Sequence, residues 1–126
     1  MKFAAVLLLL LAAGCTPDVP VADIEKASQA IKSHYREFPI GGGWHFLDTE
    51  HEGNRLYIRV AVASHTKKGM LRMPLKQQWK ILAAGGCPGT DGSLWREIHS
   101  DLQIWVKSRL SADSTIDQRC PGAPRG

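Results

Sequence analysis

The chain has 126 residues, 16 Lys and Arg against 12 Asp and Glu, a net charge of +4, and 44% apolar residues including four Trp. That length leaves room for one domain. The apolar and aromatic content excludes a disordered chain.

Met1 and Lys2 supply one positive charge, and Phe3 to Ala13 is an unbroken apolar run. Eleven residues at about 1.5 Å each span only about half of a ~30 Å hydrocarbon core, so a permanent membrane span is not expected. A charged start, a short apolar stretch and small residues before a cleavage point make a secretory signal. Leu11-Ala12-Ala13-Gly14-Cys15 resembles the lipobox of bacterial lipoproteins, with Ala12 standing where Leu is commonest. The resemblance covers residues 1–15. It implies cleavage before Cys15 and thioether lipidation of that cysteine. It further implies a membrane anchor, since several acyl chains bind durably where one does not. Thr16 stands where an Asp commonly signals inner-membrane retention, so the outer membrane with the domain facing the periplasm is expected. The organisation is then a signal peptide at 1–14, a lipidated Cys and proline-stiffened tether at 15–20, and one domain at 21–126. Cleavage leaves 112 residues.

The expected fold class is α+β, in the order α-β-β-α-β with a possible final β. Its antiparallel sheet has helices packed on one face, and one disulfide is expected. Val21, Ile24, Ala27, Ile31, Tyr35 and Phe38 recur at helical steps over residues 21–37, with Pro20 before and Pro39 after. Gly41-Gly42-Gly43 is not followed by a helix pattern, so it reads as a connector and not as a phosphate cradle. Residues 44–51 and 55–63 form a hairpin around Glu52-Gly53-Asn54. Met73 to Ala84 reads as a second helix, with Leu75, Trp79, Leu82 and Ala83 on one face and Gly85-Gly86 as its stop. Residues 93–99 fit a short helix or an extended lead-in equally. Residues 102–110 alternate as a strong strand, and 115–120 return as a short edge strand.

Cys87 and Cys120 remain after lipidation, each within Cys-Pro-Gly. In an oxidising compartment an even pair reads as a disulfide. A reactive thiol would need a lowered pKa and a partner base, and no His lies near either in sequence.

No acidic residue stands between Glu52 and Asp91, whereas seven basic residues do. Arg72, Lys76 and Lys80 are spaced i, i+4, i+8 along the second helix, and Lys67 and Lys68 precede them in a loop. Such a basic stripe suits an anionic headgroup, an acidic protein face or a cell-wall polymer. The compartment argues against nucleic acid. Trp105 lies on the polar side of its strand and is a candidate aromatic anchor for a partner. Asp48, Glu50 and Glu52 fall on one face of a strand and His45 and His51 on the other, which reads as a wet hairpin face and not a metal site. The chain carries no Gly-x-Ser-x-Gly, Ser-x-x-Lys or His-Glu-x-x-His, and His34 and His99 read as structural. The expectation is a non-enzymatic accessory lipoprotein without cofactor or metal. It would bind an envelope protein or an anionic envelope surface, with a secretion or assembly system as one host for it. An inhibitor or immunity lipoprotein and a small hydrolase with a hidden site are the alternatives.

Overall fold

The computed structural model describes residues 19–90 and 92–122. The signal segment, Cys15 and most of the tether lie outside the described residues.

Helix α1 spans Val21–Glu37, and its first turn closes on the Pro20 carbonyl, which accepts from the Asp23 and Ile24 amides. Proline fits there because its missing N–H has no helical partner to lose. Ile24, Ala27, Ile31 and Tyr35 form the buried stripe. Val21 and Phe38, expected on it, are exposed at the two fraying ends.

Strands β1 (His45–Glu52) and β2 (Arg55–Ala61) form the expected hairpin, turned at Gly53 with its φ of +59°. Strands β3 (Gln103–Ser111) and β4 (Ser114–Arg119) form a second hairpin. The sheet order is β1-β2-β3-β4. The expected all-antiparallel sheet is corrected at its centre, where β2 and β3 run parallel in the register Leu56↔Ile104, Ile58↔Val106. Parallel neighbours need a long crossover, and residues 62–102 provide it.

That crossover holds helix α2 (Ser64–Met70), a further helix α3 (Leu75–Gly86) and a 3-10 turn at Ser93–Glu97. Lys67 and Lys68, expected in a loop, therefore stand on α2. The pattern of α3 also differs from expectation. Leu75 is exposed, and the buried positions are Gln78, Leu82 and Gly86. Gln78 tolerates burial because its amide nitrogen donates to the carbonyls of Met70 at 2.8 Å and Met73 at 3.2 Å. It thereby clips the corner between α2 and α3. Gly85 and Gly86 do not stop the helix but sit in its last turn. A Cβ on Gly86 would meet Val106 Cγ2 at 2.6 Å, and one on Gly85 the Trp44 ring at 2.5 Å. Glycine there permits close packing.

One face of the sheet carries Leu56, Ile58, Val60, Ile104, Val106, Leu110 and Ile116, buried against Ile24, Ala27, Ile31, Tyr35, Met70 and Leu82. Burying each large aliphatic side chain contributes about 1.5–3 kcal/mol. The Tyr35 hydroxyl donates to the Gly86 carbonyl at 2.6 Å, which ties α1 to the end of α3. The bridge Cys87–Cys120, with Cα atoms 5.5 Å apart, ties the end of α3 to the end of β4. No helix among the described residues is long and apolar enough to cross a membrane.

Candidate functional site

The fold splits the basic stripe. Helix α3 begins at Leu75 behind Pro74, so Arg72 falls in the preceding turn and only Lys76 and Lys80 share the helix face. This corrects the single i, i+4, i+8 row. Lys67, Lys68, Arg72, Lys76 and Lys80 all lack an ion pair with any acidic group among the described residues. Five cations remain available to an outside anion.

Lys76 and Lys80 stand at a groove of about 740 Å³ between α3 and β4. One wall is Lys76, Trp79, Lys80 and Ala83. The facing wall runs from Gln118 through Arg119, Cys120 and Pro121 to Gly122. The wall positions follow from local chemistry. Lys76 and Lys80 are one helical turn apart, and Trp79 lies beside both, half-buried against the core. The disulfide fixes the far wall, because Cys120 is bonded to the residue that caps α3. The Cys120 amide also donates to the Ile104 carbonyl at 2.8 Å. The result is an apolar floor of Trp79, Ala83 and the bridge, with cations at its rim. The chemistry of such a surface is complementary to a segment with both an acidic group and an apolar flank.

Trp105 is not brought to this groove. It lies on the opposite face of the sheet, beyond Tyr57, with ring centroids 6.2 Å apart. Its indole N–H donates to Gln103 Oε1 at 3.1 Å, and the Arg55 guanidinium lies over its ring at 4.1 Å. Trp105 is therefore half-buried, with one part of its ring covered by its own neighbours.

That second sheet face is a self-paired charge lattice. Arg59 donates to Asp48 at 2.8 Å and to Glu50 at 3.0 Å, and Lys107 reaches Glu50 at 3.7 Å. Asp48 and Glu50 of β1 are met by cations from β2 and β3, and no group of three metal-binding side chains occurs among the described residues. A bulge at Leu47 shifts the register between Phe46 and Asp48. It places His45 on the carboxylate face, where simple alternation had put it opposite. Phe46 turns inward and stacks on Tyr35 at 5.1 Å.

His34, His99, Tyr35 and the two bridged cysteines each have a structural partner. His34 packs edgewise on Tyr35 at 5.2 Å. His99 accepts the Asp101 amide at 3.1 Å and lies 4.0 Å from Asp23. Burial pushes the Tyr35 phenol well above its ordinary range. The Cys87 and Cys120 thiols are consumed in the bridge.

Trp79 was read from the sequence as core and Lys76 and Lys80 as surface. What sequence reasoning missed is the wall at Gln118–Gly122, since only the placement of β4 beside α3 brings it there. The one available signal was Cys120, whose partner Cys87 closes α3.

No protein-family profile, no curated protein and no solved structure matches this chain.

Proposed function

We propose that the chain is a lipid-anchored accessory lipoprotein of the outer membrane, held by Cys15 with its domain in the periplasm, and that it works by binding and not by catalysis. Its partner is another envelope protein, which presents an acidic segment with an apolar flank to the α3–β4 groove. One observation carries this reading. Lys76 and Lys80, both without an acidic partner, flank the half-buried Trp79 along a groove of about 740 Å³. Cations left unpaired on a helix face contribute little to folding, well under ~1 kcal/mol each, yet they raise encounter rates with an anionic partner.

The test is capture from solubilised envelopes. Lys76→Gln with Lys80→Gln leaves the melting temperature nearly unchanged, weakens capture of the partner, and removes its dependence on salt. Wild-type capture falls as salt is added. Equal, salt-insensitive capture by both proteins contradicts the proposal.

A further inference from the structure

Six large apolar side chains are strongly exposed among the described residues, and three of them fall within five positions of the chain: Leu71 at 44%, Met73 at 37% and Leu75 at 49%. Isolated exposed apolar residues are ordinary, but a cluster is not. These three occupy the corner between α2 and α3, where residues 71–77 are all exposed. Lys68, Arg72 and Lys76 are exposed among them, and Lys67 stands one turn before. None has an acidic partner among the described residues. The patch continues toward β1. Leu47, a fourth exposed apolar residue at 51%, is set out by the bulge and lines one recess with Lys67. The carboxylate of that recess, Glu50, is already engaged by Arg59 and Lys107.

The backbone of the corner is hydrogen-bonded along its length. The Leu71 amide donates to Lys67 O, Arg72 to Gly69 O and Met73 to Met70 O. The buried Gln78 side chain holds the Met70 and Met73 carbonyls from beneath. A backbone held in this way has little further order to gain on docking.

We infer that this corner docks on an anionic bilayer surface, with Leu71, Met73 and Leu75 entering the headgroup–acyl boundary and Lys67, Lys68 and Arg72 meeting lipid phosphates. An exposed apolar cluster interspersed with cations, with no acidic residue from 53 to 90, matches that surface in chemistry and charge. The inference rests on the proposed envelope location. It orients the domain on its own membrane, while the α3–β4 groove serves the partner.

The experiment uses residues 16–126 without lipid, a chain that contains the whole described core and the disulfide. It is sedimented with phosphatidylcholine vesicles and with phosphatidylcholine vesicles doped with phosphatidylglycerol. The protein should pellet with the anionic vesicles and not the neutral ones. Lys67→Gln, Lys68→Gln, Arg72→Gln together should weaken binding on the order of a hundredfold, about fivefold per charge. Leu71→Ser, Met73→Ser, Leu75→Ser should abolish it. The charge-matched set Lys26→Gln, Lys32→Gln, Arg36→Gln on α1 should leave it intact. In the wild type, anionic vesicles should protect Met73 from peroxide oxidation, a readout that needs no variant. No pelleting, equal pelleting with neutral vesicles, an equal loss from the α1 set, or an unprotected Met73 each overturns the inference. None of these outcomes touches the groove, whose reading stands or falls on partner capture.

Discussion

Tyr35 illustrates how a single residue links three elements. Its ring is buried on α1, stacks on Phe46 of β1, and its hydroxyl is satisfied by Gly86 at the end of α3. Removing the hydroxyl leaves the buried Gly86 carbonyl without that donor. Tyr35→Phe should therefore cost about 1–2 kcal/mol, read by urea unfolding at neutral pH. The same group sets a pH dependence. Burial holds the folded phenol above its ordinary range, while in the unfolded chain it ionises near pH 10. Its contribution is complete below about pH 10 and is lost as the pH rises further, because only the unfolded state releases the proton readily. Wild-type stability should fall above that pH, and in Tyr35→Phe this component of the fall should vanish. An unchanged alkaline profile in the variant would contradict the assignment. Gln78 and Gly86 carry a related lesson. A polar side chain and a glycine at the packing face of α3 look like flaws in its pattern. Each is required by one neighbour, the Met70 and Met73 carbonyls in one case and Val106 in the other.

At the scale of elements, the legible parts were those whose periodicity reflects one buried face. The alternation of Leu56, Ile58 and Val60 in β2 and of Ile104 and Val106 in β3 follows directly from a sheet covered on one side. The stripe of α1 is similar. The parallel pairing of β2 with β3 was not legible, since side-chain alternation is the same for either direction. Helix α2 was missed because Ser64–Met70 holds seven residues and one buried side chain, too few to show a period. Half of the groove was visible as Lys76, Trp79 and Lys80. The other half depended on β4 lying beside α3, which the two cysteines alone foreshadowed. The bridge closes a loop of 33 residues, so the chain-entropy relation gives it roughly 3–4 kcal/mol. Cys120→Ser should lower unfolding stability by about that amount, a large share of a small domain's total. Denatured, unreduced residues 16–126 should show no reactive thiol. Two labelled thiols would break the link between α3 and the groove's far wall.

The whole molecule combines a proposed lipid anchor, a small stapled domain and two cationic surfaces with distinct surroundings. If Cys15 carries the lipid, labelled palmitate fed to expressing cells should enter the wild-type chain and not Cys15→Ser. Label retained in the variant would remove the anchor from the account. The charge map then has a consistent sense. The open face of the sheet neutralises itself through Arg59, Lys107, Asp48 and Glu50. The cations of α2 and α3 have no ion pair among the described residues. The central claim is that the α3–β4 groove receives an acidic partner. Site-specific photo-crosslinking in intact envelopes tests it most directly, with a benzophenone side chain placed at Pro121, exposed on the groove wall, or at Lys26 on α1. The account predicts a discrete adduct from position 121 that fades when salt is raised before irradiation, and none from position 26. No adduct at 121, or the same adducts from both positions at any salt, would contradict it.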